Sequence, residues 1–242
     1  EPTLSPWFAD ALQAVVHVRA LSGLPFFKLV LLTNATGLDL PHVQAGLRHS
    51  ELLLPRIASL LEEAGLAPGQ LDLLVCSIGP GSFTGIRIGL ATAKGLALAA
   101  GLPLVGVSTL DGLARRYASF PGTVAAANPS LRKRYYAALY RAGQRVSDYL
   151  EMLPDDLADR LASHSPLLLT GAGAGPLHAR LGHPTGAAPI LDAGGAAADP
   201  VGLLECGLEA FRARGDRGEE DPLPLYLRAS EAELGGTSTK SS

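Results

Sequence analysis

Three glycines, Gly79, Gly81 and Gly85, lie between an apolar run and a helix-forming run. In such a place bare backbone N–H groups and the positive end of a helix can bind an anion. A nucleotide phosphate held by Gly79, Gly81, Ser82 and Gly85 is the sharp reading. The spacing, however, is GxGxxxG, whereas dinucleotide-binding turns carry GxGxxG, and no GK[ST] follows as a P-loop requires. The alternative is structural: Gly79 and Gly81 permit a tight turn, while Gly85, Gly89 and Ala93, four residues apart, flatten one helix face for close packing. Other chemistry is thin. Histidines stand at 17, 42, 49, 164, 178 and 183, but no GxSxG elbow, HExxH pair or spaced carboxylate set accompanies them. A peptidase is disfavoured on the same ground. His49 beside Ser50 fits the start of a helix better than a metal site. Arg132, Lys133 and Arg134, next to Tyr135 and Tyr136, fit an exposed hairpin end better than an RNA platform. For Arg87 a solvated cation and an interface or anion contact both stay open.

The elements that must position these residues follow from periodicity. Leu53, Ile57, Leu60, Leu61 and Ala64 recur at helical spacing after Ser50 and Glu51, and Gly65 supplies a stop, so a helix is predicted over 50–64. Residues 71–78 read as a buried strand, 86–100 as a helix ending at Gly101, and 102–108 as a further strand. Strand, helix, strand with short links implies a parallel crossover. The 86–100 helix is apolar all round, with Arg87 and Lys94 its only charges, so it needs cover on more than one side. A second α/β layer is predicted from 109: helices over 110–118 and 156–162, paired strands over 123–127 and 134–140, and a strand end over 167–171. The Gly-, Ala- and Pro-rich stretch 181–200 reads as surface loop, 201–214 as a final helix, and 235–242 as a frayed tail. Residues 1–47 show weak strand signals at 15–18 and 26–32 and no clean periodicity.

Composition narrows the function classes. The 242 residues are 47% hydrophobic and 18% charged. Ordinary soluble domains carry about 25% charged residues, so disorder is excluded for the bulk of the chain. Twenty Lys and Arg against 23 Asp and Glu give a net charge of −3, too near neutral for a chain that grips a phosphate backbone by its own field. Cys76 and Cys206 lie far apart without a CxxC, which fits a reducing compartment. The apolar stretch 11–32 is broken by His17, Arg19, Gly23, Pro25 and Lys28, against a membrane span. The opening Glu1-Pro2 lacks the basic flank of a signal peptide. A cytoplasmic protein is expected.

The run Gly79-Pro80-Gly81-Ser82-Phe83-Thr84-Gly85-Ile86-Arg87-Ile88-Gly89, continued by Ala93-Lys94-Gly95-Leu96-Ala97 and by Gly106-Val107-Ser108-Thr109-Leu110, closely resembles the bacterial TsaB (YeaZ) family. His49-Ser50-Glu51, Leu53-Leu54-Pro55 and Pro224-Leu225-Tyr226-Leu227-Arg228 add to the likeness, which covers 48–140 well and the rest loosely. The resemblance implies an actin/Hsp70-like ATPase superfamily fold with two RNase H-like lobes: 1–108 as the first, with 1–47 atypical, 109–200 as the second, and 201–242 packing back on the first. It implies a non-catalytic partner of a TsaD-like subunit, which transfers a threonylcarbamoyl group to tRNA, with a TsaE-like ATPase joining them. Contact with tRNA would then be indirect. In the family the first two helices bundle with TsaD. Here those helices would be 50–64 and 83–100, and they carry Leu53, Leu54, Ile57, Leu61, Phe83, Arg87, Leu90 and Lys94 as candidate partner-binding residues; a homodimer is the other use of such faces. No metal or cofactor is implied beyond ATP or ADP within the complex. A nucleotide-binding enzyme using the 79–85 turn is the rival expectation.

Departures from the pattern concentrate at the start. The family opens with a strand ending in an Asp-Thr-Ser-like turn and a second strand. The nearest echo here is Leu31-Leu32-Thr33-Asn34-Ala35-Thr36, with Asn for Asp, and the opening hairpin is missing or unrecognisable. A later strand that often carries Asp reads Asn128-Pro129-Ser130. In ATPases of the superfamily those two acidic positions organise a metal–phosphate centre, so their replacement disfavours intrinsic ATP hydrolysis.

Overall fold

Near-continuous apolar runs make strands that are buried on both faces, and the 71–78 run is one. In the computed structural model the described residues are 29–32, 53–55, 57–59, 61–62, 65–130, 133–181, 189–191, 198–214 and 221–227. The first sheet holds β1 (Leu29–Leu32), β2 (Leu73–Gly79) and β3 (Leu104–Ser108), all parallel, with β2 central. Leu29 stands opposite Leu73 and Leu32 opposite Cys76, while Leu74 pairs with Leu104 on the other side. A strand of the sheet is therefore present where the chain matched the family pattern least.

The period-2 alternation of β2 divides its apolar side chains between two helical layers. Leu74 and Cys76 face the helical residues 53–55, 57–59 and 61–62 (α1) and α2 (Phe83–Ala100), joining Ile57, Leu61, Leu90, Ala93 and Ala97 in one cluster. Leu73 and Val75, with Val105 and Val107 of β3, face Leu203 and Leu204 of α6 (Pro200–Arg214).

Among the described residues the second sheet runs in the order 144–145, 135–141, 123–129, 167–170 and 190–191. β4 (Thr123–Pro129) and β5 (Tyr135–Arg141) are the expected antiparallel pair, with Thr123 opposite Arg141 and Pro129 opposite Tyr135. β6 (Gln144–Arg145) and β7 (Leu150–Met152) pair with β5, and β8 (Leu167–Thr170) runs parallel to β4. Leu157 and Leu161 of α4 (Pro154–Leu161) and Leu177 of α5 (Ala174–Leu181) cover one face, and Leu110 and Leu113 of α3 (Thr109–Arg115) cover the other. Gly202 of α6 sits against the Gly112 backbone of α3. Two helices thus fill the space between the sheets.

The helix after β2 runs Phe83–Ala100, the bounds the family resemblance implies, and Ser82 caps it. One expectation needs correction, and one helix goes unannounced in the sequence. The 181–200 stretch is not all loop: β9 (Ile190–Leu191) adds to β8, with Leu168 opposite Ile190. The helix before it, α5, was hidden by the poor helix formers Gly175 and Pro176. The weak strand signal at 15–18, the His49-Ser50 pair, Asn34, Arg132 and the 235–242 tail lie outside the described residues.

Candidate partner-binding surface

α2 is built by its ends. Ser82 (φ −59°, ψ 120°) accepts a hydrogen bond from the Gly85 N–H at 3.3 Å, and Gly101 closes the helix in the left-handed region (φ 63°) with its N–H on Ala97 O. Between these caps the residues divide by phase. Gly85, Ile86, Gly89, Leu90, Ala93 and Ala97 are buried, whereas Phe83, Arg87, Ala91, Gly95 and Leu98 are exposed on the opposite side. Leu98 is 87% exposed and Phe83 43%. The all-round apolar helix is thus covered on one side by the sheet and α1, and its other side is a stripe with one charge, Arg87.

The candidate partner-binding residues part accordingly. Ile57, Leu61 and Leu90 are core residues, each 5% exposed or less, so they hold α1 and α2 to the sheet and offer no surface to a partner. Leu53 is partly buried against the same cluster. Leu54, 53% exposed, together with Phe83 and Arg87, lies on the surface. Lys94 is half-buried and paired with Asp221 at 2.7 Å. Periodicity located the helices, but the side each turns outward depends on the sheet beneath. Leu98 went unnoticed although it continues the Phe83, Arg87, Ala91 series.

The glycine turn is occupied by the chain itself. Gly79 has φ 100°, and a Cβ there would meet Ile86 Cδ1 at 2.6 Å and Leu225 O at 3.3 Å. The Ser82 hydroxyl holds the Gly85 amide, one of the N–H groups a phosphate would need. Gly79, Gly81, Ser82 and Gly85 therefore meet the demands of a tight turn and a helix cap. Gly89 departs from expectation, since a Cβ there would meet nothing within 4 Å and no close backbone approach requires glycine.

Residues 221–227 form a strap across this turn. The Leu225 N–H donates to Ile78 O at 2.8 Å, and a Cβ at Gly106 of β3 would meet Pro222 Cβ at 2.7 Å. Tyr226 stacks on Phe83 with ring centroids 5.0 Å apart, Arg87 Cζ lies 3.9 Å from the Phe83 centroid, and Arg87 Nε donates to the Tyr226 hydroxyl at 2.9 Å. The Pro224-Leu225-Tyr226 run was noted for family likeness, not for this contact.

Elsewhere the polar groups serve structure. Asp111 of α3 accepts from the Tyr140 hydroxyl at 2.7 Å and the Tyr149 hydroxyl at 2.6 Å. Burial first, and then the Asp111 carboxylate, push both phenols above their usual range and keep them as donors. Burial likewise pushes the Cys76 thiol up to about 12, which removes it as a nucleophile near neutral pH. Among the described residues no group of three or more His, Cys, Asp or Glu comes together to hold a metal, and no helix is long and apolar enough to cross a membrane.

An α/β chain with two sheets, a capped helix after a filled glycine turn and an outward apolar stripe is the class these features define. The family model described as TsaD, tRNA N6-adenosine threonylcarbamoyltransferase, matches residues 40–171. A Bacillus subtilis protein named tRNA threonylcarbamoyladenosine biosynthesis protein TsaB is 35% identical over 128 residues, 51% of this chain and 56% of that one. The solved structure of YeaZ from Pseudomonas aeruginosa is 32% identical with a TM-score of 0.59, covering 74% of this chain and 85% of that one. A second solved structure, of a protein described as similar to peptidase YEAZ from Pseudomonas aeruginosa, has a TM-score of 0.65 at 29% identity, over 83% of this chain and 99% of that one. The chain belongs to the TsaB (YeaZ) family. It spans about half the length of the curated relatives it matches, 56% for the Bacillus subtilis protein and 44% for a TsaB of Haemophilus influenzae.

Proposed function

We propose that this chain is an accessory subunit in tRNA threonylcarbamoyladenosine biosynthesis, one that docks on a TsaD-type threonylcarbamoyltransferase through α2 and the adjoining surface of α1 and activates it without catalysing the transfer itself. The observation that carries this reading is the outward stripe of α2, where Leu98 is 87% exposed on a helix that holds no acidic residue. Exposed apolar helix faces of this kind mark interaction sites. Leu54 extends the apolar surface onto α1. The names of the TsaB relatives support the pathway, and the filled glycine turn supports the absence of a nucleotide site belonging to this chain alone.

On this reading the fold is that of two RNase H-like lobes, 1–108 and 109–200, with 201–242 returning to the first; the contact of Leu203 and Leu204 with β2 and β3 supports that return. A TsaE-type ATPase joins the pair, ATP or ADP enters only within the complex, tRNA is reached through the transferase, and the assembly works in the cytoplasm. The test is calorimetric titration of the TsaD-type transferase encoded in the same genome with the wild-type chain and with Leu54→Asp and Leu98→Asp. Both substitutions lie on exposed positions, so folding is kept while binding is abolished. Binding that survives the two changes together overturns the reading. Saturable binding of ATP by the isolated chain favours the nucleotide-enzyme alternative.

A further inference from the structure

Resting on that reading, we propose that Arg87 is the point at which the docking surface recognises a carboxylate of the partner protein, and that the strap 221–227 exists in part to aim it. Arg87 is exposed, yet its guanidinium is not loose: it lies over the Phe83 ring at 3.9 Å, and Nε is fixed on the Tyr226 hydroxyl at 2.9 Å. With Nε engaged, the two terminal Nη groups form the free end of the fork. Among the described residues no carboxylate pairs with Arg87, whereas Lys94, two turns along the same helix, is neutralised by Asp221 at 2.7 Å. α2 holds no acidic residue. Among the described residues, then, Arg87 is the one cation of this helix without a carboxylate partner, in a chain whose net charge is −3.

A guanidinium stacked on an aromatic face and held by a hydroxyl has already lost most of its rotamer freedom, so pairing costs it little further ordering. Its planar end-on fork matches the two oxygens of an Asp or Glu side chain. The half-exposed Phe83 and Tyr226 rings flank the charge with apolar surface that a docked partner would dry. An arginine seated on aromatic rings is a composition favoured at interface hot spots. Phe83 and Tyr226 act through Arg87 as positioning residues.

The test is titration of the same TsaD-type transferase, at low and high salt, with full-length wild type, Arg87→Ala, Arg87→Lys, Tyr226→Phe and Leu98→Asp. Arg87→Ala is expected to weaken binding by about tenfold or more and to flatten the salt dependence. Arg87→Lys, which keeps the charge and loses the fork, recovers only part of the affinity. Tyr226→Phe keeps the stack, loses the hydroxyl and weakens binding by a few-fold. Thermal midpoints are measured alongside and affinities are compared where every variant is folded, so that loss of the Arg87 contacts with Phe83 and Tyr226 is not read as loss of binding. If Leu98→Asp abolishes binding while Arg87→Ala leaves affinity and salt dependence unchanged, the inference is overturned and the docking reading stands. If Arg87→Ala spares the transferase but weakens tRNA binding by the complex, the guanidinium takes a phosphate and the inference fails. Absence of binding by the wild-type chain overturns both.

Discussion

Each of the two sheets sends a strand into a glycine with positive φ and then into a helix: Gly79 at 100°, the last residue of β2, and Gly171 at 98°, just after β8. The backbone demand is the same, but the closure differs. A Cβ at Gly79 would meet the end of the Ile86 side chain and the Leu225 carbonyl of the strap. A Cβ at Gly171 would meet the Ala127 carbonyl and Asn128 Oδ1, both from the neighbouring strand β4, and the same Asn128 oxygen accepts from the Ala172 N–H at 3.0 Å. The first turn is closed by the flexible tip of Ile86, from the helix that follows it, and by the backbone of the strap, brought from a distant part of the chain. The second is clamped by backbone and a buried amide within its own sheet. What this teaches is a division of labour: the turn with adjustable cover is the one that also borders an exposed interaction surface, and the rigid turn serves only its own fold.

The largest effect that could break this contrast is Gly171→Ala. A methyl group there collides with backbone that cannot withdraw, at a φ that L side chains disfavour, so a loss of about 3 kcal/mol or more is expected. Gly79→Ala suffers the same torsional strain, but its nearest neighbour is the flexible tip of Ile86, and a loss of about 1–2 kcal/mol is expected. Urea midpoints of the two variants decide the matter. Equal losses would mean that torsion alone governs both turns and that the difference in closure has no energetic weight.

Much of this contrast was legible in the sequence on one side only. The Gly79–Gly85 turn announced itself because an apolar run precedes it and a long uncharged helix follows. The Gly171–Gly173 turn was read as a strand end, since Gly175 and Pro176 suppress the helical signal of Ala174–Leu181. Of the candidate partner-binding residues, Leu54, Phe83 and Arg87 are exposed, whereas Ile57, Leu61 and Leu90 are buried in the core. Apolar periodicity marks which residues share a helix face and does not say whether that face meets the sheet or the solvent. The strap contact of Tyr226 with Arg87 joins residues that lie 139 apart in the chain, beyond the reach of any local pattern.

Polar anchors give a finer comparison. Asn128→Ala removes the acceptor from the partly buried Ala172 N–H and is expected to cost about 1–3 kcal/mol, while Asn128→Asp keeps an acceptor and costs less. Ser82→Ala removes the cap of α2 at a more open position and is expected to cost about 1 kcal/mol. Thermal or urea unfolding of the three variants ranks them. A larger loss for Ser82→Ala than for Asn128→Ala would reverse the assignment of the rigid turn.

The smallest expected effect separates the two sheets by pH. His164 precedes β8, with Nδ1 at 3.2 Å from Thr123 Oγ1 and 3.3 Å from Arg141 Nη2, and Arg141 Nε donates to the same threonine oxygen at 3.0 Å. Burial first, and then the Arg141 and Arg160 charges, hold this imidazole below its usual value. The neutral ring accepts the Arg141 hydrogen bond, and protonation would set a cation against that arginine. Because the folded value is the lower one, the unfolded chain binds more protons as pH falls, so the contribution is present above the ordinary histidine value of about 6.5 and is lost below it. Amide exchange, corrected for intrinsic rates, is expected to show β4 and β8 losing protection between pH 7.5 and 5.5 while β2 and β3 change less. His164→Gln keeps a neutral polar group and should flatten the response of β4 and β8. An equal fall in both sheets, or an unaltered response in the variant, would assign the acid sensitivity to charges shared by the whole molecule and not to the histidine at the foot of the second sheet.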